Sequence, residues 1–102
     1  MSRPVVSDAA HADLGDILDY LTTSLCNPAA ATALADAVSD AYRRIRAHPE
    51  SSPFCAHPRL AAMGYRKPLV RNYLFVYRHI PETDTVFVAR FFHQSRNYAD
   101  LL

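Results

Sequence analysis

The sequence predicts an α+β domain, with an N-terminal strand and a helical hairpin packed on a mostly antiparallel sheet. Two observations carry this. The stretch Gly64 to Asn97 gathers Val, Tyr, Phe and Leu into short runs broken at Arg71-Asn72 and at Pro81-Glu82-Thr83-Asp84, which reads as three consecutive strands. Residues 8–48 instead repeat their apolar side chains at helical spacing on either side of an Asn-Pro break. With 102 residues, half of them hydrophobic, the chain has room for one domain and one core.

Arg3-Pro4-Val5-Val6 forms the first strand, with Pro4 suited to its beginning or to an edge. Ser7 follows as a helix N-cap, and Asp8 suits the positive end of the helix dipole. Leu14, Ile17, Leu18, Leu21 and Leu25 then fall in one arc at 100° per residue, while Asp8, Asp13, Asp16 and Asp19 fall opposite it. The expectation is an amphipathic helix whose aspartates form a solvated outer face without partners. Asn27-Pro28 starts a second helix, Asn as cap and Pro at a position where its missing N–H is not needed. Its inward side reads Ala30, Leu34, Ala37, Val38, Ala41 and Ile45, and it ends near His48-Pro49. The tight turn between the two helices makes an antiparallel hairpin.

Glu50 to Met63 reads as one extended irregular segment, too apolar for a linker, that packs across the domain. Its His57 and Cys55, with nearby His48, match no zinc spacing, so neither a metal nor a cofactor is expected. Cys26 and Cys55 lack CxxC spacing and read as reduced packing residues. In the sheet, Pro68 cannot donate a ladder hydrogen bond, which places its strand at the edge. Val86 to Phe92 is apolar on both alternating sets and reads as a strand deep in the sheet. Tyr98, Leu101 and Leu102 would let the tail fold back on the body. No apolar run reaches membrane-spanning length and no signal peptide opens the chain, which points to the cytoplasm.

Charge is divided along the chain. Residues 1–40 carry one base and six acids, and residues 41–102 carry ten bases and four acids. From Arg59 to Arg78 there are five bases and no acid. Cations concentrated on a sheet call for an anionic partner, either nucleic acid or an acidic protein segment.

The order of strand, two helices, three strands and tail resembles the RelE/ParE superfamily of toxins from type II toxin–antitoxin systems. The resemblance lies in Ser7-Asp8-Ala9-Ala10 with Asp13-Leu14, Ile17 and Tyr20, in His48-Pro49-Glu50, and in Gly64-Tyr65-Arg66. It continues through Tyr73 to Tyr77-Arg78, Val86 to Arg90, and His93-Gln94-Ser95-Arg96-Asn97, so that nearly the whole chain is covered. It implies a growth-inhibiting, plasmid-stabilising toxin held inactive by a cognate antitoxin protein. The antitoxin tail is expected on a cationic sheet face around Arg66, Lys67, Arg90 and Arg96, beside an edge strand open to strand addition.

The superfamily divides by target. On the ParE-like reading the protein binds and arrests DNA gyrase and performs no chemistry of its own. Gly64-Tyr65-Arg66, Val76-Tyr77-Arg78 and the closing His93-to-Asn97 motif resemble that branch. On the RelE/YoeB-like reading the protein is a ribosome-dependent mRNA endonuclease. Its catalytic residues would then be Arg66 and Lys67, which resemble the basic residues on the second strand of that branch, with Arg90 and Arg96 adding positive charge, His93 taking or giving a proton and Tyr98 orienting a base. Leu74 and Ser95 stand where RelE-like chains carry or adjoin arginines, which favours the gyrase reading. A homologue that only binds its antitoxin is a third reading.

Overall fold

The computed structural model describes residues 1–96 and Leu102. Strand β1 (Arg3–Val6) leads into helix α1 (Asp8–Asp19), a π-helical turn (Tyr20–Ser24) and helix α2 (Pro28–Ala47). A short helix α3 (Pro58–Ala62) and strands β2 (Leu69–Val70), β3 (Tyr73–Ile80) and β4 (Thr85–His93) follow. The sheet order is β1-β4-β3-β2. β3 is antiparallel to both β2 and β4, whereas β1 lies parallel to β4 with Arg3 beside Thr85 and Val6 beside Val88. The sheet is thus mostly antiparallel, and β4 is interior to it, in keeping with its two apolar faces. No helix among the described residues is long and apolar enough to cross a membrane.

The local signals act as their chemistry dictates. Ser7 Oγ accepts the Ala10 N–H at 3.0 Å, and Asn27 Oδ1 accepts that of Ala30 at 3.1 Å, so each helix start has one orphan donor satisfied. Leu34, Val38, Ala41 and Ile45 of α2 pack with Phe75, Tyr77, Val86, Val88 and Phe91 on one face of the sheet. Leu14, Ile17, Leu18 and Leu21 are partly buried against the same cluster. A second cluster, with Leu60 and Cys55 over Leu74, Val76, Ala89 and Phe92, fills the opposite face. Leu102 packs against it, while Tyr98 and Leu101 lie outside the described residues.

Three expectations are corrected. Leu25 is 53% exposed rather than inward. The cause is the π-helical turn, in which Leu25 N–H reaches back five residues to Tyr20 O at 3.0 Å. The wider turn rotates the apolar arc after Leu21, and the Thr22 and Thr23 hydroxyls donate to the Leu18 and Asp19 carbonyls within it. The segment Glu50 to Met63 contains α3 rather than being irregular throughout. The strand expected from Gly64 shrinks to Leu69–Val70, with Arg66 joining β3 only through a bridge to Tyr77.

Residues 53–55 explain part of this. Cys55 N–H donates to Tyr65 O, Lys67 N–H donates to Pro53 O, and Phe54 bridges Arg66. The segment after α2 therefore occupies much of the edge that was expected to be open.

β1 is clipped at its start. Ser2 N–H donates to Arg46 O at 2.8 Å and Arg46 Nε to Ser2 O at 3.1 Å. Ser2 Oγ donates to Asp84 Oδ1 at 2.6 Å, and His79 Nε2 lies 2.9 Å from the same oxygen. These hydrogen bonds, that of Ser2 foremost, hold the Asp84 carboxyl below its ordinary value of 3.8. A depressed carboxylate pKa contributes stability that is fully present above the unfolded value and lost as pH falls through the folded one. The stability difference between the native chain and Asp84→Asn should therefore be full at neutral pH and shrink below about pH 4. Urea titrations at a series of pH values check this; a gap that widens in acid would contradict it.

Candidate functional site

The site begins where β1 runs out. β1 pairs with β4 only as far as Val88, and Ser7 N–H donates to Val88 O at 3.0 Å to close that ladder. From Ala89 onward the same edge of β4 is met by side chains of the α1 segment. Ser7 Oγ donates to Ala89 O at 2.7 Å, and Asp13 Oδ2 accepts the Phe91 N–H at 3.1 Å. Strand-edge polar groups that a further β1 residue would have satisfied are taken up by a cap and a carboxylate.

Asp13 does more than close this edge. Arg90 Nε donates to Asp13 Oδ2 at 2.6 Å and Arg90 Nη2 to Asp13 Oδ1 at 2.9 Å, a two-bond ion pair. The hydrogen bond to Asp13 raises the guanidinium pKa further, against the opposing effect of burial. The side chains are 29% and 18% exposed, so the pair is sheltered but not dry. This corrects the expectation that Asp13 belongs to a partnerless outer face. A residue on the acidic side of a helical wheel faces water only where no sheet edge reaches it, and here β4 outruns β1.

Arg90 stands at a cleft of about 400 Å³ between α1 and the end of β4. Ile17 and Tyr20 form one wall, and Tyr73, Phe91 and His93 another; Asp13, Asp16, Arg90 and Arg96 supply its charges. A second hollow of about 430 Å³ shares Tyr20, Tyr73 and His93 with it and adds Arg71 and Asn72. Arg71, with φ of 57°, takes a left-handed turn that ends β2 and starts β3. Tyr20 is 52% exposed at the first position of the π-helical turn.

His93 closes β4. Its ring meets Tyr73 edge-on, 5.5 Å between centroids. Nδ1 accepts the Ser95 N–H at 3.2 Å and lies 2.8 Å from Ser95 Oγ. A ring nitrogen that accepts a backbone N–H carries no proton, so in the neutral imidazole the proton is on Nε2. In that tautomer His93 is a donor at Nε2.

Of the residues expected to act together, Arg90, His93 and Arg96 meet at this cleft. Arg66 and Lys67 do not join them. Arg66 pairs with Tyr77 and His93 with Tyr73, so the two are separated by roughly 14 Å along β3 at the usual strand rise. Arg66 Nη1 donates to Ser52 O at 2.7 Å, and its guanidinium lies 3.9 Å over the Phe54 ring. Tyr77 Oη donates to Pro49 O at 2.7 Å beside it. These groups pin the segment that leaves α2. The single cationic face expected around Arg66, Lys67, Arg90 and Arg96 is thus replaced by two separate placements. Tyr98 lies outside the described residues. Asp13, Asp16, Tyr20, Tyr73 and Arg71 were missed as members of the site.

A family model described as the ParE toxin of the type II toxin–antitoxin system parDE matches residues 5–98. The chain belongs to the ParE toxin family. None of the curated proteins matches it. Among solved structures, this ParE-family chain is similar to one from the chromosomal ParDE toxin–antitoxin system of P. aeruginosa. That match has a TM-score of 0.70 and 15% identity, covering 91% of this chain and 96% of the other. It is also similar to the isolated E. coli RelE toxin, with a TM-score of 0.60, 16% identity and coverage of 99% and 95%. At these identities the likeness shows the fold, and the fold is shared by both branches of the superfamily. Family membership makes the chain a type II toxin; its target must be argued from the site.

Proposed function

We propose that this ParE-family chain is a toxin that arrests DNA gyrase by binding it, and that a cognate antitoxin protein holds it inactive. The observation that carries the target is the dispersal of the cations. Cleavage of RNA through its 2′-OH needs a base, an acid and positive charge converging on one phosphate. Arg66 lies roughly 14 Å along the strand from His93 and is committed to loop carbonyls, and the charge of Arg90 is opposed by Asp13. A surface that binds a protein needs no such convergence.

Cleavage of ribosome-bound message is the second reading, favoured by the meeting of Arg90, His93 and Arg96 at one cleft. Two assays on the purified toxin separate the readings. The gyrase reading expects loss of supercoiling at stoichiometric toxin, intact message on ribosomes, and unchanged gyrase inhibition by His93→Gln. Message cleavage that His93→Gln abolishes, with gyrase unaffected, overturns it.

A further inference from the structure

The Asp13–Arg90 pair is more elaborate than closing a strand edge requires. A neutral side-chain oxygen would satisfy the Phe91 N–H, yet the chain places a carboxylate there and takes two further hydrogen bonds from Arg90. Those bonds use Nε and Nη2, one edge of the guanidinium plane. A planar guanidinium presents a second edge through Nη1, and fixing the first edge fixes the direction of the second. Arg90 lines the α1–β4 cleft together with Arg96.

We propose that Asp13 is a positioning residue that holds Arg90 by one edge, so that its other edge and Arg96 receive a single carboxylate of the antitoxin in the α1–β4 cleft. The inference rests on the toxin reading and names the chemistry by which that partner is recognised. Three features select a carboxylate on an apolar segment over a nucleic acid. The formal charges of Asp13, Asp16, Arg90 and Arg96 cancel with His93 neutral, so the cleft offers a polyanion no net attraction. Asp16 stands at the same cleft and repels a second negative group. Ile17, Tyr20, Tyr73 and Phe91 give walls suited to an aliphatic side chain next to the acid.

The test uses the full chain and a synthetic ten-residue peptide of Leu and Ser with one central Glu, capped at both ends, with oligo-dT as competitor. The peptide is expected to bind, with shifts of Tyr20 and Tyr73 NMR signals and continued protection of the Arg90 Nε–H from exchange. Asp13→Asn keeps an oxygen for Phe91 N–H but loses the two-bond hold, and should weaken the peptide about tenfold while melting within a few degrees of the native chain. Arg90→Lys keeps the charge but not the planar fork, and should lose as much as Arg90→Gln. Arg66→Ala should bind as the native chain does.

Unchanged affinity in Asp13→Asn would make Asp13 merely structural and overturn the proposal. So would loss of Nε–H protection on binding, which would mean that the ligand displaces Asp13. Displacement of the peptide by equimolar oligo-dT would assign the cleft to nucleic acid instead. Absence of peptide binding from a chain that still inhibits gyrase would sink this inference alone and leave the toxin reading standing.

Discussion

Replacing Phe75 with alanine should lower stability by about 3–5 kcal/mol. Phe75 is fully buried at the middle of β3 and has three aromatic neighbours. Its ring centroid lies 5.1 Å from that of Phe91, 5.6 Å from Tyr42 and 6.0 Å from Tyr77. Tyr42 comes from α2, so removing the ring opens a cavity between layers, where neither can close on it without moving the other. A domain of this size holds about 5–15 kcal/mol in all, and its melting point falls roughly 4–8 °C per kcal/mol lost. Denaturant titration with an unchanged m-value checks the figure. A loss under about 1 kcal/mol would mean that the surrounding rings collapse into the gap.

Leu34→Ala should cost about 2–5 kcal/mol, and the same truncation at Leu25 less than about 0.5 kcal/mol. Leu34 is 2% exposed and sits within the helix–sheet cluster, whereas Leu25 is 53% exposed beyond the π-helical turn. Leu18, half-buried at the margin of that cluster, should fall between them. Thermal melts of the three variants test the phase of the whole hairpin. Equal losses at Leu25 and Leu34 would show the helical arc continuing unbroken through residue 25.

Where a residue's role depends on its immediate neighbours, the sequence announced it. Ser7 and Asn27 cap their helices because a short polar side chain ahead of an apolar repeat has few better uses. Pro68 sits next to the edge strand because it cannot donate there, and the doubly apolar Val86-to-Phe92 run is interior because no other place shelters both faces. The π-helical turn left no such trace. Thr22 and Thr23 can hydrogen-bond back to the helix in an ordinary turn as well.

The site was half legible for the same reason. Arg90, His93 and Arg96 share one end of β4, so their proximity follows from strand spacing. Asp13 depended on a difference in length between β1 and β4, strands that meet across 82 residues, which no local periodicity encodes. Arg66 misled because a cation stacked on Phe54 and bonded to loop carbonyls has the same letter as one awaiting a phosphate.

The parallel pairing of β1 with β4 sets a condition on synthesis. β4 lies between β1 and β3, and the first strand of the chain has no partner until residues 85–88 have been translated. A contact of that separation pays its loop-closure entropy late and slows folding relative to a hairpin-built sheet. The Asp13–Arg90 cleft, which straddles this seam, is therefore assembled only after residues 85–93 have left the exit tunnel. A truncated product ending before β4 would carry the whole acidic helix and none of the groups that answer it. Nascent fragments of this toxin should consequently be harmless to the cell that makes them.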